Sequence, residues 1–236
     1  DVAEETPLEP APRLSARLGN RVLMKREDLQ TVFSFKLRGA YNKLTQLSAA
    51  ERAAGVICSS AGNHGQGVAL AGRTMGVRAL VVMPVTTPSI KVDAVRALGA
   101  EVILHGITYD DAYGRAQELV AAQGLTFIHP FNDPAVIAGQ GTIGMEILRQ
   151  HRGSLDAVFV PVGGGGLCAG TAVVARALRP QTLLLAAEPK AVDDAARSMA
   201  TGVRQPRVDG AKSWADGLMT GLGEPNFRLL RQHEVR

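Results

Sequence analysis

The sequence predicts an α/β protein with parallel sheets in two domains, and three observations carry that expectation. From Gly55 onward, short apolar runs alternate with amphipathic runs of helical period, which is the pattern of successive βαβ units. Both glycine-rich stretches fall where an apolar run passes into a helical one. At 236 residues the chain is long enough for one large or two modest domains. The strand–helix units from Gly55 to about Asp133 form one block, read as a small domain over 55–134. Residues 1–48 and 135–236 then form a discontinuous large domain, whose segments are expected to pair into a second sheet. The cleft between the two is the expected ligand site.

Each element has a local reason. Thr6-Pro7-Leu8-Glu9-Pro10 reads as extended, because proline and the residue before it disfavour helix. A short helix over 12–18 stops at Gly19-Asn20. Val22-Leu23-Met24-Lys25 is a strand, and Arg26-Glu27-Asp28 is a charged break. A helix runs over 37–46, and Ser48 caps a further short one. Strands at 56–58, 79–83, 102–104 and 126–128 then alternate with helices at 64–75, 89–98, 109–123 and 134–150, the last helical only in part. A strand over 157–162 leads into four glycines and a helix over 167–178. A strand over 183–187 precedes a helix over 191–200.

The net charge is +4, but Lys and Arg are interleaved with Asp and Glu. No basic run with interleaved aromatics argues for nucleic acid, so none is expected as a partner. No apolar run reaches membrane-span length and nothing near Asp1 resembles a signal peptide, so no membrane partner is expected. The chain begins at Asp1, not Met, as a trimmed chain does. Cys58 and Cys168 are too few and too far apart for a disulfide framework or a zinc site. Their apolar and glycine-rich surroundings suit buried free thiols in a reducing cytoplasm.

Three stretches carry the chemistry. Lys36 sits between aromatic residues, Phe33 and Phe35, and the start of a helical pattern. Desolvation there lowers an ammonium pKa and frees the amine for Schiff-base chemistry. Val160-Pro161-Val162-Gly163-Gly164-Gly165-Gly166-Leu167 joins a strand to a helix. Four glycines allow close approach of a ligand to the backbone, and free N–H groups at a helix start favour an anion such as phosphate. The run lacks the pattern of a nucleotide-triphosphate loop. Ser59-Ser60-Ala61-Gly62-Asn63-His64-Gly65-Gln66-Gly67 lies at another strand-to-helix turn and can hold a second anion, such as a carboxylate. Asn63 either caps the helix or donates to a phenolate-like oxygen. His64 alone reads more simply as a packed or capping histidine than as a base.

In this order, Ser34-Phe35-Lys36-Leu37-Arg38-Gly39-Ala40, Ser60-Ala61-Gly62-Asn63-His64-Gly65-Gln66-Gly67 and Gly163-Gly164-Gly165-Gly166-Leu167 resemble the pyridoxal-phosphate enzymes of the tryptophan-synthase β fold. Among them the chain looks most like the threonine dehydratases (threonine ammonia-lyases). The stretches 25–30, 90–96 and 137–142 extend the likeness to nearly the whole chain. The resemblance implies an open twisted parallel-sheet fold of that type. It implies pyridoxal 5'-phosphate as cofactor and deamination of L-threonine to 2-oxobutanoate, as in isoleucine biosynthesis, and of L-serine to pyruvate. By position, Lys36 would hold the cofactor covalently and shuttle protons, and Phe35 would lie beside its ring. Asn63 would bond the ring hydroxyl, and Gly163, Gly164, Gly165, Gly166 and Leu167 would cradle the phosphate. Ser60, Ala61, Gly62, Asn63 and His64 would bind the substrate carboxylate. A homo-oligomer, dimer or tetramer, is implied too. Within the same fold the alternatives are a serine racemase or a hydroxyaspartate dehydratase. Outside it, the alternative is a non-catalytic fragment that retains the fold.

The chain departs from the family at Cys168, where an aliphatic residue is usual. Glu188-Pro189-Lys190-Ala191-Val192-Asp193-Asp194 is similar to the divalent-cation loop of serine racemases, with Glu188, the Val192 carbonyl and Asp194 as ligands for Mg²⁺ or Ca²⁺; a solvated acidic turn is the competing reading. The Ser or Thr that usually faces the pyridine nitrogen is not found before Arg236, so the C-terminal part is read as truncated. In serine racemases a Ser stands where this chain has Ala61.

Overall fold

A computed structural model describes residues 2–236; Asp1, the first residue of the expected large domain, lies outside the described residues. Strand β1 (Leu8–Pro10) pairs antiparallel with β2 (Leu23–Lys25), on either side of helix α1 (Pro12–Leu18). Gly19, at φ 61°, ends α1 in the left-handed conformation that favours glycine. Helix α2 (Lys36–Thr45) is followed by α3 (Ala49–Ala54), which Ser48 and Glu51 close with a capping box.

The next block is a parallel sheet in the order β5-β4-β3-β6, built from β3 (Val56–Ser59), β4 (Ala79–Met83), β5 (Glu101–Leu104) and β6 (Thr126–Phe127). Helices α4 (Asn63–Met75), α5 (Ser89–Ala97) and α6 (Tyr109–Gln123) connect the strands. β3 and β4 are buried on both faces, which explains their unbroken apolar runs. Leu37, Ala40 and Leu44 of α2 share one core with Val56, Cys58, Val68 and Val81, so α2 is packed against α4 and this sheet.

Helix α7 (Pro134–Gln150) is helical throughout, where the sequence was read as helical only in part. Pro134 sits in its first turn and Asp133 accepts from the N–H groups of Ala135 and Val136. Its glycines serve close packing: a methyl on Gly139 would press on the Arg38 carbonyl, and one on Gly141 on the backbone of Gly170. Strands β7 (Ala157–Pro161) and β8 (Leu183–Ala187) pair parallel around α8 (Gly166–Leu178). Helices α9 (Asp194–Thr201) and α10 (Glu224–Gln232) follow, and Leu222, Phe227 and Leu230 join the core of α8 and β8. The flanking segments do not pair into one second sheet. They form two separate two-stranded sheets, β1-β2 and β7-β8. Cys58 and Cys168 are buried free thiols.

Candidate active site

Lys36 is the first residue of α2. Its Nζ donates to the Pro130 carbonyl at 2.9 Å and lies 5.4 Å from the centroid of the Phe35 ring. Burial lowers its pKa from the ordinary 10.5 to about 8. The helix N-terminus, with its partial positive charge, works in the same direction. Phe33 contributes nothing to this desolvation. It is 77% exposed, with a left-handed φ of 56°, and turns outward, contrary to its expected shielding role. Gly67 brings α4 against this spot, since a methyl there would press on the backbone of Lys36 and Leu37.

The segment 128–132 is the hub. Besides Lys36 on Pro130, His64 places Nε2 2.8 Å from the Ile128 carbonyl, so that nitrogen carries the proton and donates. His129 Nδ1 accepts from the N–H groups of Phe131 and Asn132 at 3.2 and 2.9 Å, which folds the turn that presents the Pro130 carbonyl. The Phe131 ring packs where a side chain on Gly164 would stand, and the Phe131 backbone and Cβ where one on Gly166 would. Burial holds His64 neutral down to about pH 3 and His129 down to about pH 4, with the nearby Lys36 charge as a second cause in both.

Gly163 and Gly164 lead from β7 to Gly165, the residue before α8, which has φ 90°. Among the described residues, no hydrogen bond from the N–H of Gly163, Gly164 or Gly165 is found. The first turn of α8 adds further unpaired donors. Glycine is needed at 163–165 because side chains there would meet Leu218, Thr220, Phe131, Leu222 and Asn226. A free row of donors beside a desolvated amine suits a phosphate-bearing aldehyde.

The loop after β3 puts Ala61 and Gly62 at a bend before α4. Ser60 Oγ accepts from the Gly62 N–H at 3.2 Å. Asn63 is exposed and is not a cap; Gly62 holds that position. The His64 side chain is turned into the core, so only its backbone N–H faces the loop's opening turn. The acidic turn is occupied otherwise than expected. Glu188 accepts from the N–H groups of Ala195 and Ala196, at 3.3 and 2.6 Å, and buried Asp194 accepts from the Leu222 N–H at 2.8 Å. No group of three or more His, Cys, Asp and Glu placed to hold a metal ion occurs among the described residues.

Pro130, His129, Phe131 and Asn226 were not singled out in the sequence. Pro130 acts through a carbonyl, which leaves no side-chain signal. The one available sign was a histidine–proline pair where a strand gives way to a capped helix.

The lowered amine pKa gives a direct test. Covalent capture of pyridoxal by Lys36, trapped with borohydride and read by mass spectrometry of the Lys36 peptide, is expected to rise through a midpoint near pH 8. A midpoint near the ordinary lysine value contradicts the desolvation.

A desolvated lysine and a glycine-built row of free donors, gathered on one hub, mark the class of enzyme that takes a phosphorylated aldehyde as its reactive group. The whole chain, residues 1–236, matches the family described as pyridoxal-phosphate dependent enzyme, and it belongs to that family. Over 99% of its length it is 54% identical to the biosynthetic L-threonine dehydratase of Burkholderia multivorans, of which it covers 46%. The processed form of threonine deaminase isoform 2 from Solanum lycopersicum superposes with a TM-score of 0.95 at 50% identity, over 98% of this chain and 64% of that one. Maize serine racemase superposes with a TM-score of 0.95 at 34% identity, over 99% of this chain and 70% of that one. The chain spans about half the length of the curated relatives it matches. Its fold is the open parallel-sheet fold of tryptophan-synthase β type.

Proposed function

We propose that the protein deaminates L-threonine to 2-oxobutanoate and ammonia, and L-serine to pyruvate, with pyridoxal 5'-phosphate. The observation that carries this is the half-buried Lys36 amine, 2.9 Å from the Pro130 carbonyl, while Phe131 of the same segment packs against Gly164 and Gly166 of the glycine run. The identity to threonine dehydratases, 54% for the Burkholderia protein, supports threonine over serine as the substrate. The test is formation of 2-oxobutanoate from threonine by the full-length protein.

When bound, the cofactor supplies an electron sink for a carbanion at the amino acid's α-carbon. Lys36 is the residue that would hold it, and Gly163, Gly164, Gly165, Gly166 and Leu167 would hold its phosphate. Phe35 and Asn63 are proposed to lie against its ring and its ring hydroxyl. The Lys36 Nζ, as a free amine, would take the α-proton, and its low pKa suits it to act as a base near neutral pH. Backbone N–H groups from Ser60 to His64 would fix the substrate carboxylate, leaving the β-hydroxyl to depart. His64 supplies no proton, because it stays neutral and bonded to Ile128.

We also propose the division into 55–134 and 1–48 with 135–236; the four-stranded sheet drawn wholly from 56–127 supports it. A homo-oligomer and a cytoplasmic site are proposed with it, the second supported by two buried free thiols. No helix among the described residues is long and apolar enough to cross a membrane.

Ala61 separates lyase from racemase. Racemisation needs an acid on the face opposite Lys36, and a methyl group cannot give a proton. L-Serine is expected to yield pyruvate with negligible D-serine, and Ala61→Ser to raise the D-serine to pyruvate ratio at least about tenfold. D-Serine accumulating as fast as pyruvate in the unmodified protein, by chiral chromatography, rules this out.

A further inference from the structure

Asn226 lies in the first turn of α10 with no exposure to solvent. Its Nδ2 donates to the Gly164 carbonyl at 2.7 Å, the Phe131 carbonyl at 2.9 Å and Asn132 Oδ1 at 3.3 Å. The Gly223 N–H, at the cap of the same helix, also donates to the Gly164 carbonyl, at 3.1 Å. Two donors from α10 therefore fix the direction of one carbonyl in the glycine run. In a trans peptide the carbonyl of residue 164 and the N–H of residue 165 point opposite ways. Holding the Gly164 carbonyl toward α10 thus aims the Gly165 N–H away from it, and that N–H has no acceptor among the described residues. Gly165 itself needs the left-handed φ of 90°, and a side chain there would meet Asn226 and Leu222. The bond to Phe131 ties the same amide to the segment whose Pro130 carbonyl accepts from Lys36.

We propose that Asn226 is a positioning residue for phosphate recognition. It locks the peptide between Gly164 and Gly165 so that the Gly165 N–H is presented to the anion, and it keeps that donor in register with Lys36. The proposal rests on the reading of the glycine run as the phosphate site. Without the amide, the buried Gly164 and Phe131 carbonyls lose a donor, the peptide is free to rotate, and a carbonyl oxygen can turn toward the anion.

The experiment compares dissociation constants of pyridoxal phosphate and pyridoxal, measured by equilibrium dialysis on the full-length protein. Their ratio isolates the phosphate from the aldehyde. Asn226→Leu, similar in size and without donors, is expected to lower the preference for the phosphorylated ligand about tenfold or more, the worth of one good hydrogen bond. Pyridoxal affinity is expected to stay unchanged. Asn226→Thr, which keeps one hydroxyl donor in a smaller side chain, is expected to fall between and serves if the leucine variant does not fold. The ³¹P resonance of bound pyridoxal phosphate is expected to shift in both variants. An unchanged preference and resonance in either folded variant overturns the role of Asn226 while leaving the phosphate site standing. No preference for pyridoxal phosphate in the unmodified protein overturns the phosphate site and the role of Asn226 together.

Discussion

Lys36→Ala is expected to lower threonine deamination at least about a thousandfold and to abolish the borohydride-reducible bond between protein and pyridoxal phosphate. Both effects trace to one atom. Burial lowers the pKa of the Lys36 Nζ to about 8, and it sits on the hub that also seats the glycine run. Lys25 and Lys43 cannot replace it, because Lys25 is paired with Glu146 and Lys43 with Asp133. The phosphate contacts proposed at the glycines do not involve Lys36, so the variant is expected to keep weak, non-covalent affinity for the cofactor. Mass spectrometry after borohydride decides: an adduct still formed stoichiometrically on another lysine would show that the wrong amine had been assigned.

The second large effect is on stability. Arg38→Ala is expected to destabilise the fold by about 3–5 kcal/mol, the cost of removing one partner from a buried ionic network. Arg38 is 5% exposed and makes paired bonds to both Glu27, at 2.8 Å to each oxygen, and Glu146, at 2.5 and 2.8 Å. It also donates to Thr142 Oγ1 and the Glu4 carbonyl. Lys25 completes the network through Glu146 and the Thr6 carbonyl. Burial works against ionisation of Glu146, but the bonds from Arg38 and Lys25 outweigh it and hold its pKa below the ordinary value. The network's contribution is therefore present above the ordinary carboxylate range and lost as acid protonates Glu146. Arg38 stands two residues after Lys36, roughly 200° around the helix. The network thus anchors α2 from behind while its other face carries the amine. Urea unfolding measures the loss, and a change below about 1 kcal/mol would mean the network is solvated or rearranges.

Lysine 36, the glycine run and the Ser60–His64 loop were legible because each is a local pattern of side-chain types at a strand-to-helix or loop-to-helix junction. The parallel sheet was legible for the same reason, since buried strands such as β3 and β4 read as unbroken apolar runs. What escaped notice acts at long range or through the backbone. The Pro130 carbonyl meets Lys36 across 94 positions of sequence, and Asn226 meets Gly164 across 62. Helix α10 was not expected from the sequence; Pro225 lies in its first turn, where proline is favoured. The segment 134–150 was expected to be helical only in part, and its glycines are what lets the complete helix approach α2 and α8. Phe33 was expected inside on hydrophobicity alone, and its left-handed backbone turns it to solvent. Glu188 and Asp194 were read as cation ligands only through the resemblance to serine racemases, beside a solvated acidic turn, and the bonds they accept from the N–H groups of Ala195, Ala196 and Leu222 left no trace in the sequence.

The central claim is tested most directly by incubating the full-length protein, loaded with pyridoxal phosphate, with L-threonine and following 2-oxobutanoate and ammonia. The account predicts that the two products form in equal amounts, with L-serine giving pyruvate more slowly. A protein carrying the cofactor covalently on Lys36 that releases no 2-oxo acid from either amino acid would contradict it.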